Sequence, residues 1–302
     1  MNESPPAAPV CYRHTSRETW VRCARCDRHI CPDCMSEAAV GHQCPECVAE
    51  GRRTQRPVRT AFGGGAAGQH GFVTKALIGI NVAVALLALG VGGLGSIAGG
   101  RWGGLLGGAT ALHQYAAMIG YIDVPGGQLL PFGVVAGEYY RLFTAMFLHY
   151  GVLHLALNMW ALWIIGRTLE GALGPARFLA LYLVSGLGGS VAVYYFAPTG
   201  LTAGASGAIF GLFAALFVIL RRLGRDTSGV VPILVINLVF TFTVPGISIA
   251  GHLGGMAIGA ATAAILAYAP RHRRTMVQAV GSGLLVVALI GLAVLRTTML
   301  VG

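Results

Sequence analysis

Residues 203–221 read AGASGAIFGLFAALFVILR, an apolar run without an acidic residue that opens on small side chains around Ser206 and closes on Arg221. Its length fits the roughly 20 residues an α-helix needs to cross a bilayer's hydrocarbon core. The pattern recurs in both directions. Apolar stretches lie near 73–97, 142–165, 177–197, 203–221, 229–245, 248–269 and 276–298, the fifth being the shortest. Composition agrees: of 302 residues, 55% are hydrophobic and 11% charged, where a soluble domain carries about a quarter charged residues. These features predict an all-α polytopic protein, integral to a lipid bilayer.

The net charge of +10 lies in short clusters between apolar runs rather than on one basic face, so it reads as a topology signal and no nucleic-acid partner is expected. Arg167 and Arg177, then Arg221, Arg222 and Arg225, then Arg271, Arg273 and Arg274 fall in alternate connections. Lys and Arg in short loops stay on the cytoplasmic side, which predicts a cytoplasmic N-terminus and, after seven spans, an outer C-terminus. Arg101, Arg141 and Arg296 run counter. The connection of about 40 residues between the first two spans is too Gly-rich for a clean span and is expected to be an ordered interfacial loop.

Polar groups inside a bilayer are costly and point to function. The spans hold almost no Asp or Glu and the chain lacks HExxH, which removes aspartyl and metal-dependent hydrolysis. Ser206 and His252, the latter in GHLGG at 251–255, each lie a few residues into a helix entering from the outer face, so they reach similar depth. A neutral imidazole can take a serine proton near pH 7, and with no acid to orient the ring the pair is a dyad. Gly204, Ala205 and Gly207, with Gly251, Gly254, Gly255 and Gly259, allow close helix approach. Phe210, one turn after Ser206, is placed to stack on His252. In HYGVLHLALNM at 149–159, His154 and Asn158 are four apart and share a face. With the Ser206 backbone N–H they are assigned to an oxyanion hole, and His149 to a structural or interfacial role. Taken singly, a membrane Ser bonds its own helix and a lone His packs on a polar neighbour; the combination carries the reading.

HxxxN at 154–158, GASGAIFG at 204–211 and GHLGG at 251–255, in that order, resemble the rhomboid intramembrane serine proteases. EYYRLFTAMFLH at 138–149 is similar to the family's Trp-Arg element with Tyr140 ahead of Arg141, and Gly166, Glu170 and Gly174 resemble its GxxxExxxG pattern. Gly255 and Gly259 resemble its final GxxxG, while Phe210 stands where many members have Tyr. The resemblance implies a six-helix bundle plus one extra C-terminal transmembrane helix, an embedded first loop and a mobile fifth helix gating substrate entry. It implies a serine endopeptidase acting on transmembrane protein substrates without a catalytic cofactor, in the plasma (inner) membrane, with its catalytic opening outside.

The first fifty residues differ in kind. Cys11-x2-His14, Cys23-x2-Cys26, Cys31-x2-Cys34 and Cys44-x2-Cys47 give four pairs at zinc-knuckle spacing, enough for two tetrahedral structural Zn ions. Their order looks like a B-box or other cross-braced finger, in which pairs one and three share one ion and pairs two and four the other. His29 and His42 are spare ligand candidates, His42 being the nearer substitute in the last pair. The N-terminus lacks a signal-peptide pattern, and a reducing cytoplasm argues against disulfides. The expected organisation is a cytoplasmic B-box-like domain at 1–50 offering a surface to a cytoplasmic protein partner or a lipid, a flexible Arg/Gly linker at 51–70, and a membrane domain at 71–302. Against the enzyme stands a catalytically silent adaptor or chaperone for transmembrane segments. A transporter would need inverted repeats or paired midplane polar sites, and neither is found.

Overall fold

The computed structural model describes residues 7–55, 58–65, 71–94, 96, 107–125, 128–130 and 132–302. The chain divides into two units, Met1–Pro57 and Val58–Gly302. Arg101 and part of the expected end of the first span lie outside the described residues.

In the first unit, two-residue strands β1 (Ser36–Glu37) and β2 (His42–Gln43) pair antiparallel, and α1 (Pro45–Thr54) follows. The core is six buried cysteine side chains around Ile30, which is fully buried, with Cys26 packed partly buried against them. Arg22, Arg25 and Arg28 form ion pairs with Asp27, Glu50 and Glu46. Trp20 is 71% exposed.

The flexible linker expected at 51–70 is corrected in its described parts. Residues 51–54 complete α1. Residues 58–65 form a tight turn, with the Gly63 N–H donating to the Thr60 carbonyl. Phe62 is buried in the core of the second unit, and burying an aromatic ring outweighs the freedom its glycine-rich neighbours would otherwise keep.

The second unit contains α2 (Phe72–Gly92), α3 (Ala111–Ala116), α4 (Arg141–Thr144), α5 (Gly151–Leu173), α6 (Pro175–Phe196), α7 (Ser206–Arg222), α8 (Val230–Thr243), α9 (Ile249–Tyr268) and α10 (Arg274–Val301). All seven expected spans are helical. Five meet the length and apolarity of a bilayer crossing, while α7 has 17 residues and α8 only 14. At 1.5 Å per residue α7 reaches about 25 Å, short of the roughly 30 Å hydrocarbon core. With Arg221 and Arg222 of its last turn at one membrane surface, its Ser206 end would stop within the thickness of the bilayer.

The second span begins at Gly151, not 142. Residues 141–147 form a helical turn and a 3-10 turn instead, and the main chain breaks at Gly151, where φ is +75°. Arg141 explains the break. Only 1% exposed, it donates to the carbonyls of Gln114 and Ala117 at 2.7 and 3.0 Å and to Glu138 Oε2 at 2.5 Å. It is the hub of the first loop rather than a topology signal. That loop is ordered where described, with α3 and an antiparallel pair, β3 (Ile122–Val124) and β4 (Gln128–Leu130).

Glu170, fully buried on α5, accepts from the Val73 and Thr74 N–H groups at 2.9 and 2.8 Å and from Thr74 Oγ1 at 2.7 Å. A carboxylate thus satisfies the free N–H groups at the start of α2 and complements its dipole. The added C-terminal helix, α10, is tied to α6 near both ends. Gln278 accepts from Arg177 Nε at 2.6 Å, and Tyr194 Oη lies 2.9 Å from Thr297 Oγ1.

At the centre, α6, α7 and α9 touch backbone to backbone. A Cβ on Gly255 would stand 2.0 Å from the Gly207 carbonyl oxygen, and one on Gly259 would stand 2.3 Å from Gly211 Cα. Gly255→Ala is therefore expected to lower stability by about 1–3 kcal/mol or more through overpacking. Gly283→Ala, where a Cβ meets nothing within 4 Å, should stay within about 0.5 kcal/mol of the parent or exceed it. Thermal unfolding of both variants in detergent checks the contrast.

Candidate active site

The chain leading into α7 is stitched to the first loop before Ser206 is reached. Met118 and Thr202 exchange backbone hydrogen bonds at 2.8 Å, and the Gly204 N–H donates to the Ala145 carbonyl at 3.0 Å. Gly204 has φ +137°. A Cβ there would stand 2.8 Å from the His154 imidazole and 3.5 Å from Ser206 Oγ, so the absent side chain leaves the space where ring and hydroxyl face each other. Ser206 is the first residue of α7 rather than lying a few residues into it. Its N–H is thus one of the groups at a helix N-terminus with no partner inside the helix.

His252 projects from the first turns of α9, which Ser248 caps by accepting from the Gly251 N–H at 3.1 Å. Its Nε2 lies 2.8 Å from Ser206 Oγ. The Phe210 ring stacks on the imidazole at 4.0 Å and 16°. Facing the pair from α5, His154 accepts the Tyr150 N–H on Nδ1 at 3.3 Å. In the neutral ring the proton then resides on Nε2, which is free to donate toward Ser206. Asn158 donates from Nδ2 to the His154 carbonyl at 2.8 Å, which uses one of its two N–H groups and leaves the other. Ser206, His252, His154 and Asn158 all line one cavity of about 1690 Å3.

Several contacts are not legible in the sequence. Thr241 of α8, 2% exposed, has its Oγ1 2.8 Å from His252 Nδ1. Threonines are frequent in apolar helices, and no spacing ties 241 to 252. His149 is buried and accepts the Ala205 N–H at 3.5 Å, while its carbonyl lies 3.2 Å from His113 Nε2. These two histidines support the loop ahead of Ser206. Their only sequence signal is that they are polar residues in apolar surroundings.

In the first unit the four ligand pairs form two groups, Cys11, His14, Cys31 and Cys34, and Cys23, Cys26, Cys44 and Cys47, each with its donor atoms within 4.8 Å of one another. Pairs one and three converge, as do two and four. Neither His29 nor His42 joins them; His42 lies in β2, where its carbonyl accepts the Ala24 N–H. Either group could hold a metal ion. Cys26 and Cys44 sulfurs are 3.7 Å apart, close to the edge of about 3.8 Å that a tetrahedron with metal–sulfur bonds of about 2.3 Å requires. Burial opposes ionisation at Cys11 and Cys23, yet backbone N–H groups outweigh it and hold both at about 6. Burial and neighbouring thiols push Cys34 up to about 11 and Cys47 up to about 12. A divalent cation removes that mutual repulsion, since coordination deprotonates the thiols.

A model of the rhomboid domain matches residues 136–269, a stretch without the cysteine-rich unit, α2 and α10. The chain is 43% identical over 138 residues to rhomboid protease GluP of Bacillus subtilis, covering 44% of this chain and 27% of that protein. It is 38% identical over 133 residues to putative rhomboid protease YdcA of the same organism, covering 42% of this chain and 67% of that protein. It is also 37% identical over 129 residues to RHOMBOID-like protein 1 of Arabidopsis thaliana, covering 40% and 33%. With this similarity covering α5 to α9, the helices that include Ser206 and His252, the chain belongs to the rhomboid family.

The two cysteine groups predict about two metal ions per purified chain by elemental analysis. Cys34→Ser should drop the content to about one, because it breaks one group and leaves the other.

Proposed function

We propose that the chain is an intramembrane serine endopeptidase that hydrolyses peptide bonds in or beside transmembrane segments of protein substrates. The observation that carries this reading is the 2.8 Å contact between Ser206 Oγ and His252 Nε2 on the wall of a cavity inside the bilayer's thickness. The cavity is lined by Leu153, Leu157 and Trp160 of α5 and by Ile236 and Phe240 of α8, all exposed apolar side chains. A gap walled this way suits a segment arriving from lipid, since it offers hydrocarbon to hydrocarbon until the polar floor is reached.

Ser206 Oγ attacks the carbonyl carbon while His252 Nε2 takes its proton. The oxygen that becomes negative is met by donors already in position: the Ser206 N–H at the start of α7, His154 Nε2–H and the free N–H of Asn158. As the C–N bond breaks, His252 returns the proton to the departing amine. Water then attacks the acyl-enzyme, with His252 again as base, releasing the acid and restoring Ser206. No cofactor takes part. We read the N-terminus as cytoplasmic, the catalytic opening as outer and the membrane as the plasma (inner) membrane, with the Arg distribution in support, and the metal of the cysteine-rich unit as structural zinc from its thiolate-rich donor sets. Zinc would supply folding free energy to a unit with little other core.

The test uses the full chain in detergent with a fluorogenic transmembrane substrate. Ser206→Ala and His252→Ala should lose turnover; turnover equal to the parent's would overturn the dyad, and a parent with no turnover would favour the silent-adaptor reading. His154→Ala should lower kcat by about 10²–10³-fold, the range for loss of one oxyanion donor. Asn158→Ala should cost less, because one of its N–H groups is already committed to the His154 carbonyl.

A further inference from the structure

We infer that Thr241 is a positioning residue for His252, completing a hydrogen-bonded chain from Ser206 to a backbone carbonyl of α8; this rests on the protease reading above. The chain has three links. Ser206 Oγ is 2.8 Å from His252 Nε2, His252 Nδ1 is 2.8 Å from Thr241 Oγ1, and Thr241 Oγ1 donates to the Asn237 carbonyl at 2.8 Å.

The direction of these bonds follows from counting hydrogens. A threonine hydroxyl has one hydrogen and two lone pairs. Its hydrogen goes to the carbonyl four residues back, a common bond for Thr in a helix, so toward His252 the oxygen is an acceptor. Nδ1 must then carry the imidazole proton, which leaves a lone pair on Nε2 for the serine hydrogen. The opposite tautomer would put N–H toward Ser206 and could not act as base. Thr241 thus does with a neutral oxygen what a carboxylate does for a histidine elsewhere, fixing tautomer and ring angle. Phe210, stacked on the ring face at 4.0 Å, controls tilt but offers nothing to Nδ1.

The surroundings leave few alternatives. His252 and Thr241 are 7% and 2% exposed. Among the described residues, the hydrogen bonds of the imidazole are those to Ser206 and Thr241. In α8 only Val230 and Thr241 are buried, so the helix with the least support in the bundle turns its one buried hydroxyl toward the ring. A substrate that displaces α8 also removes the acceptor from Nδ1.

The experiment compares Thr241→Val, which keeps the shape and removes the hydroxyl, with Thr241→Ser, which keeps the hydroxyl. Each full-length variant is assayed for kcat and KM on the transmembrane substrate, for the rate at which a fluorophosphonate probe labels Ser206, and for its thermal midpoint. Thr241→Val should lose about 10- to 100-fold in kcat and in labelling rate, less than the roughly 10⁴-fold cost of a wrong tautomer in a carboxylate triad. Its KM should stay within about twofold and its midpoint near the parent's, and Thr241→Ser should recover most of the loss. Parental kcat and labelling rate in Thr241→Val would overturn the assignment, as would a change confined to KM or an equal loss in Thr241→Ser. These failures differ from failure of the protease reading, in which the parent itself shows no turnover dependent on Ser206.

Discussion

The close approach of α6, α7 and α9 is the constraint on which the site depends. Lipid tails are as apolar as leucine, so helices in a bilayer gain little by hiding apolar surface and associate through packing and interhelical hydrogen bonds. Glycine makes that packing a contact of main chains, with Gly255 on Gly207 and Gly259 on Gly211. Ser206 and His252 sit one and three residues from members of this seam, so the distance between hydroxyl and imidazole is inherited from backbone contact, which flexes far less than side chains. Gly188, where a Cβ would meet Ile258, and Gly189, where it would meet the Gly251 carbonyl, bring α6 into the same contact.

Around this close-packed centre three buried polar side chains tie elements of the bundle together. Glu170 closes the start of α2, Arg141 gathers the carbonyls of the first loop, and Gln278 joins α6, α9 and α10 through Arg177 and the Leu266 carbonyl. Each would be costly alone in an apolar medium, and each is paired. The exception in packing is α8, short and mostly exposed, which forms one side of the cavity. Close packing around Ser206 and His252 and sparse packing of one wall therefore coexist because different elements carry them.

The cysteine-rich unit follows another economy. With Ile30 the principal apolar side chain fully buried among its cysteines, it has too little apolar area to hold fifty residues folded. Metal ions held by its two cysteine groups would supply that stability, and because alternate pairs converge, each ion would fix the frame of the next.

The amino-acid sequence by itself determined the span count, the cysteine pairs and the candidates Ser206, His252, His154 and Asn158, because apolar length, ligand spacing and polar residues in apolar runs are local signals. Only the tertiary structure decided where the second helix starts, that Ser206 opens α7, that Phe62 is buried rather than part of a flexible linker, and that Thr241 meets the far nitrogen of His252. These depend on long-range contacts: a buried arginine recruiting carbonyls some 25 residues away, a ring finding a gap between helices, a hydroxyl on one helix facing an imidazole on another. No periodicity along the chain encodes them, since they are set by how helices of fixed length and fixed close approach fit together.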